Sequence, residues 1–491
     1  MKMPPISPRF AALDAPFSVE VAARPLPAPR LLHLNARLAE HLQLPSTDEN
    51  SIALAEILAG NQAWPGYPAR ASVYAGHQFG QFVSQLGDGR ALLVSEVVGV
   101  DGKTYEVQLK GAGPTPYSRF ADGRAVLRSS IREYLASEAM HALGIPTTRA
   151  LSLVHSEQPV RREIIETAAV VCRVAPTFVR FGHFEYFYYQ RDHDALRRLA
   201  DWVIAHHFAE LTDRPDRYAA WLDVVVRRTA ELIAAWQSVG FCHGVMNTDN
   251  FSILGLTLDY GPFGFIDSFD ANHICNHSDD HGRYSLSRQP AIGHWNCVKL
   301  LQASLPLLGN SPEAAIEAAQ PIADRYPDYY EQAMQKRWRA KLGLVTETEG
   351  DSVLIDRLLS VLHRSKADFT RIFRGLAEVK RNDHNAPIRI RDEVLDQTGF
   401  DAWLADYRSR LQNEPLDDAA RATNMNRVNP KYTLRNHLAQ RAIEHCEAGD
   451  STELECLFRV ISNPFDEQME FDAYAAEPPP EARHIEVSCS S

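Results

Sequence analysis

Long apolar runs are missing from this chain of 491 residues. No stretch approaches the roughly 18 uninterrupted apolar residues of a spanning helix, so no membrane partner is expected. Cysteine is scarce: seven residues with no CxxC pair make neither a disulfide scaffold nor a zinc site. Those among apolar neighbours, such as Cys172 and Cys242, read as buried thiols. A basic excess is also missing. The net charge of −12 argues against a nucleic-acid partner, because phosphate backbones need a basic face. The pairs Arg161-Arg162 and Arg197-Arg198 read as solvated surface. The start, MKMPPISPRF, lacks the apolar region of a secretory signal, which makes a cytoplasmic protein the expectation. There is no internal repeat and no low-complexity tract. What is present is ordinary: 45% apolar and 23% charged residues, enough for about three packed units at this length.

Four regions follow from the patterning. Residues 1–70 are Pro-rich, with a rough leucine stripe that predicts a helix over 30–42, and read as an N-terminal cap. Residues 71–190 begin with short β runs, 81–86, 91–98 and 104–109, separated by Gly87-Asp88-Gly89-Arg90 and Asp101-Gly102; these predict an antiparallel meander. A helix over 125–143 then stops at Gly144-Ile145-Pro146, and its stripe of Leu127, Ile131, Leu135 and Ala139 leaves Glu133 beside the packed edge. Further strands, including 168–174, lead into an aromatic stretch over 178–189. Residues 191–295 carry two long helices, near 194–211 and 217–239, and then a polar loop. Residues 296–491 are mainly helical.

The polar loop carries the chemistry. In GFCHGVMNTDNFSILGLTLDYGPFGFIDSFD, residues 240–270, the side chains of Asp249, Asn250 and Asp259 stand among apolar and glycine-rich neighbours. The runs 251–258 and 263–266 read as short strands holding the loop. One carboxylate and one amide carbonyl suit Mg²⁺ on substrate phosphates, because that ion keeps several waters and takes few protein ligands. Taken alone, Asn-Thr-Asp-Asn is equally a turn whose side chains bond their own backbone. The upstream order decides the matter: glycine hairpin, then Lys110 at a strand end, then Glu133 on a helix, as in nucleotide folds of the protein-kinase kind. Arginines on apolar strands, as Arg173 and Arg180 are read, are commonly tethered to backbone or carboxylates; a pair so close to the proposed triphosphate site could instead neutralise it.

The kinase pattern then breaks. His243 to Asn250 has the spacing of a kinase catalytic loop, yet the place of the base aspartate is Val245. An acid instead precedes the metal asparagine, at Asp249, and Asp259-Tyr260-Gly261 takes the place of Asp-Phe-Gly. Three outcomes remain: nucleotide binding without turnover, an atypical kinase acting on the γ-phosphorus, or reaction at another phosphorus.

The blocks YAGHQFGQFVSQLGDGRA from Tyr74, QLKGAGPTPYSRFADGRAVLRSSIREYLASEAM from Gln108, GVMNTDN with DYGPFGFIDSFD, NPKYTLRNHLAQ from Asn429 and the CSS ending resemble the selenoprotein O family of kinase-like protein adenylyltransferases. The resemblance runs through most of the chain. It implies an α+β, protein-kinase-like bilobal fold with an antiparallel sheet lobe, a mainly helical lobe, an N-terminal cap and a helical C-terminal extension. It further implies ATP bound in an inverted pose, with AMP passing to Ser, Thr or Tyr hydroxyls of protein substrates. Gly87, Gly89, Arg90, Lys110, Asp122, Gly123, Arg173, Arg180 and Asp259 would contact ATP. Asn250 and Asp259 would hold Mg²⁺, or Mn²⁺, and Asp249 would act as the base. Cys489 stands where eukaryotic members carry selenocysteine, so no selenium is implied. Cys275 lies in a polar loop, Asn272-His273-Ile274-Cys275-Asn276-His277, and a Cys275–Cys489 bond is a candidate redox tether.

Overall fold

The computed structural model describes residues 3–45, 51–382, 389–482 and 485. In chain order the strands are β1 (Ser18–Glu20), β2 (Arg30–Leu34), β3 (Arg70–Ser72), β4 (Gly76–Gln78), β5 (Gln81–Val83), β6 (Ala91–Val98), β7 (Thr104–Lys110), β8 (Ala125–Val126), β9 (Arg149–Arg161), β10 (Ile165–Ala175), β11 (Phe241–Cys242) and β12 (Gly264–Phe265). Eight of them form one sheet in the order β1-β3-β6-β7-β10-β9-β2, with β8 pairing β10. The ladders are antiparallel, which suits strands joined by tight glycine turns. Ala91 and Val171 both stand opposite Lys110, and Arg173 opposite Gln108, so the register places Lys110 and Arg173 in the middle of the sheet.

The helices used below are α1 (Ala36–His41), α2 (Ser51–Leu58), α3 (Leu127–Ala142), α4 (Phe181–Tyr189), α5 (His193–His207), α6 (Arg217–Ser238) and α7 (Gln289–Leu308). Further helices run from Pro312 to Ile461. Helix α3 forms as its stripe predicts: Leu127, Ile131, Leu135 and Ala139 are buried, and the chain leaves through Gly144 at φ +73°. It packs on β9 and β10. Each large apolar side chain on it contributes about 1.5–3 kcal/mol by burial, and Leu135→Ala would cost about 2–5 kcal/mol. Helices α5 and α6 bury Leu196, Leu199, Val203, Trp221, Val225, Leu232 and Trp236 in the same core.

The structure overturns three local expectations. Residues 30–42 are not one helix: Arg30–Leu34 is a strand paired with β9, and only Ala36–His41 is helical, capped by Asn35 accepting from Leu38 N at 3.2 Å. A free sheet edge outcompetes a weak leucine stripe. The run 81–86 does not join the meander, because Gln81–Val83 pairs back on Gly76–Gln78 in a separate hairpin. The run 251–258 is no strand either. It is a loop closed by the Phe251–Thr257 bridge, whereas Gly264–Phe265 does pair, with Phe241–Cys242. Among the described residues no helix is long and apolar enough to cross a membrane.

Candidate active site

Lys110 ends β7 and Glu133 sits in the second turn of α3, so the sheet and the helix packed on it bring them together. Lys110 Nζ meets Glu133 Oε2 at 2.6 Å and Asp259 Oδ1 at 3.4 Å. Arg173, from β10, donates to Glu133 Oε1 at 3.1 Å, to Asp259 Oδ1 and to Gln108 Oε1. Arg180, at the start of α4, donates to Asp259 Oδ2 at 2.5 Å and to the Asp249 carbonyl at 2.9 Å, and lies over the Tyr74 ring. Burial alone would raise the Asp259 carboxyl, but Arg173, Arg180 and Lys110 outweigh it and hold the group well below the usual carboxylate range. Asp259 also carries φ +55°, an unfavourable backbone for a residue with a Cβ, held by the same contacts.

Asp249 lies in a short 3₁₀ turn, Thr248–Asn250, and is buried. Its Oδ2 accepts from Gln78 Nε2 at 3.2 Å, while Oδ1 has no hydrogen-bond partner among the described residues. Burial pushes this carboxyl up to about 7, against smaller opposing contributions from Gln78 and Arg180. The β4–β5 hairpin reaches Asp249 only because residue 76 is glycine, since a Cβ there would stand 2.6 Å from Asp249 Oδ1. Behind the acid, His77 Nδ1 meets Glu185 Oε1 at 2.5 Å and the Thr248 hydroxyl donates to Glu185 Oε2. Asn-Thr-Asp-Asn is a turn, closed by Asn250 N donating to the Asn247 carbonyl at 3.0 Å, but it also serves distant elements: Asn247 Oδ1 accepts from Phe79 N at 3.2 Å and from Tyr284 Oη at 2.7 Å. Asn250 donates Nδ2 to the Val245 carbonyl at 2.9 Å and keeps its own carbonyl oxygen free of described hydrogen-bond donors.

Gly87, Gly89, Arg90, Lys110, Asp122, Gly123, Arg173, Arg180, Asp249, Asn250 and Asp259 all line one cavity of about 850 Å³. Glu133 stands behind Lys110, outside the lining. Gly87 has φ +138° and the Tyr117 ring 2.5 Å from where a Cβ would be, so a side chain there is excluded twice over. The intervening Asp88 is anchored inward, accepting from Ser72 N at 2.9 Å and Ser72 Oγ at 2.7 Å.

Three lining residues escaped the sequence reading. Gln78 lay inside a quoted block but bonds a partner 171 positions away. Tyr74, which opens the same block, gives no sequence signal for its place under Arg180. Arg162 is a correction. It is not solvated surface, because its guanidinium holds Asp122 at 2.9 and 3.1 Å and faces the cavity. That pairing is the main reason the Asp122 carboxyl lies below its ordinary value. Arg180, read as a strand residue, instead precedes α4.

The donor set fits a divalent cation. A carboxylate offers about four lone-pair sites, and Lys110, Arg173 and Arg180 occupy three of those of Asp259. One remains, in the same cavity as the amide carbonyl of Asn250, and both are hard oxygen donors. Among the described residues no cluster of three or more His, Cys, Asp or Glu forms an all-protein metal cage. Cys275 donates its thiol to the Cys242 carbonyl at 3.3 Å, and burial pushes that thiol well up; Cys489 lies outside the described residues.

With this geometry in place, the comparisons are specific. The profile of the family described as protein adenylyltransferase SelO matches residues 4–462. The chain is 58% identical to the protein nucleotidyltransferase YdiU of Methylococcus capsulatus over 489 residues, 99% of this chain and 96% of that one. It is 53% identical to the protein of the same name in Burkholderia ambifaria over 494 residues, 98% of this chain and 95% of that one.

Proposed function

The chain belongs to the SelO family of protein adenylyltransferases, and from that premise we propose that it transfers AMP from ATP to Ser, Thr or Tyr hydroxyls of proteins, with Asp249 as the general base. A hydroxyl is a weak nucleophile until a positioned group takes its proton during attack, and a base whose pKa lies near working pH does this best. Asp249, at about 7, meets that requirement. In the transfer step the acceptor oxygen bonds to the α-phosphorus and its proton passes to Asp249. The bond from the α-phosphorus to the bridging oxygen breaks, and pyrophosphate leaves.

The chain's cations meet the leaving charge. Arg90, Lys110, Arg173 and Arg180 line the cavity, with Glu133 fixing Lys110 and Arg173. Gly87 and Gly89 let the backbone approach the phosphates, and Asp122 and Gly123 line the same cavity. Asn250 and Asp259 would hold Mg²⁺, or Mn²⁺, which supplies positive charge to the phosphate oxygens when bound. ATP in the inverted pose places its polyphosphate where a kinase holds adenine, which accounts for two arginines beyond the kinase set. In this reading residues 71–190 and 191–295 form the two lobes of a kinase-like fold, residues 1–70 a cap and residues 296–491 a helical extension.

The observation that carries the reading is a buried acid with an orphaned oxygen, Asp249 Oδ1, sharing a cavity with a cation-lined polyphosphate site. Incubation with ATP labelled on either the α or the γ phosphate tests it. Covalent α label on protein is expected; γ label would make the protein a kinase, and no label a binding scaffold.

A further inference from the structure

The β4–β5 hairpin does more than support Asp249. Its tip residue, Phe79, is 43% exposed, lines the catalytic cavity and adopts φ +49°. A bulky residue in the left-handed region costs on the order of 1–3 kcal/mol and persists only where surroundings enforce it. Here Phe79 N donates to Tyr284 Oη at 2.9 Å and to Asn247 Oδ1 at 3.2 Å, and the ring packs at 5.1 Å from that of Tyr284. The fold thus holds an apolar ring open to solvent, one residue from the side chain that touches Asp249. Any hydroxyl approaching that acid brings its flanking residues past this ring.

Arg283 stands against the same tip. A Cβ on Gly80 would lie 3.3 Å from its guanidinium carbon, and the guanidinium sits 4.9 Å from the Trp295 ring centroid. Its backbone N donates to Asp279 Oδ1 at 2.9 Å, but among the described residues its guanidinium pairs with no carboxylate and its buried Nε has no hydrogen-bond partner. In a chain with a net charge of −12, a half-buried guanidinium that lies over the Trp295 and Tyr284 rings with no described carboxylate of its own, beside a strained, exposed ring, can accept complementary charge.

We propose that Phe79 and Arg283 select the acceptor: a protein segment whose modified hydroxyl is flanked by an apolar side chain, which packs on Phe79, and by an acidic one, which pairs with Arg283. The inference rests on the transferase reading above. Its test uses the full-length protein, α-labelled ATP and short synthetic Ser peptides differing only in the flanks: Leu with Glu, Ala with Glu, Leu with Gln and Leu with Lys. The Leu/Glu peptide is expected to have a kcat/KM about tenfold above the others. Phe79→Asn, which suits the left-handed backbone but lacks the ring, raises the KM for that peptide about tenfold and removes its advantage over the Ala/Glu peptide. Arg283→Glu reverses the preference to the Lys peptide, a gain that misfolding cannot produce. Unchanged flank preference in both variants would overturn the proposal while leaving the transferase standing. Failure of the wild type to label any acceptor, itself included, would overturn both.

Discussion

Asp249 and Asp259 are the same residue type ten positions apart in one cavity, yet their surroundings drive them in opposite directions. Asp249 is enclosed with a single side-chain donor, and burial raises it to about 7. Asp259 is gripped by one lysine and two arginines and stays ionised far below that. The first can take up and release a proton near neutrality; the second is a fixed negative charge. In the proposed function, separating the pKa values of these neighbouring carboxyls would give one site a base and an electrostatic ligand from identical chemistry.

The sharpest way to break this contrast is to remove the fixed charge. Asp259→Ala should abolish AMP transfer, by more than about a thousandfold, and Mg²⁺-dependent ATP binding measured by calorimetry. It should also cost about 3–5 kcal/mol in urea unfolding, because the buried Arg180 is left with no carboxylate among the described residues while Lys110 and Arg173 keep only Glu133. Removing the titrating acid should behave differently. Asp249→Asn should lower transfer by roughly 10²- to 10⁴-fold with ATP affinity retained. The signs of stability against pH then oppose each other. The folded value of Asp249 is raised, so its contribution is complete below the ordinary carboxylate value and is lost as pH rises through about 7. Asp249→Asn should therefore be more stable than the wild type at pH 8, by roughly 2–4 kcal/mol, and the two should converge near pH 4. The folded value of Asp259 is depressed, so its contribution is present above the ordinary carboxylate value and is lost only as pH falls through the folded one.

Smaller changes sharpen the comparison. Glu133→Gln, which withdraws charge from Lys110 and Arg173 without touching either aspartate, should reduce transfer about ten- to a hundredfold. In the wild type kcat should rise with pH through about 7 as Asp249 ionises. Gln78→Leu removes the donor that favours the ionised form, so this limb should move to higher pH, by less than about one unit.

Much of this was legible in sequence where a local rule carried it. The period of α3 and the order of glycine turn, lysine and glutamate led directly to the Lys110–Glu133 contact. Pairings across the chain were not legible. Gln78 meets Asp249, and Arg162 meets Asp122, through closure of the hairpin and the β9–β10 turn, which no periodicity encodes. Arg162 was misjudged because adjacent arginines look alike whether solvated or recruited. Leucines 31, 32 and 34 satisfy a helical stripe and a half-buried strand equally, and the open edge of β9 chose the strand.

Arg132, the neighbour of Glu133 on α3, is buried and donates to the Phe263 carbonyl at 2.7 Å and to Asn436 Oδ1 at 3.3 Å, with its guanidinium over the Phe263 ring. Arg435, next to Asn436, pairs with Asp267 at 2.5 Å and Asp368 at 2.9 Å. The distal helices are thus riveted to the strip of chain that presents Asp259. Trimming the protein to a kinase-sized fragment ending before residue 435 would strand Arg132 with half its acceptors and Asp267 and Asp368 with no guanidinium. The smallest active piece therefore has to extend through the NPKYTLRN block.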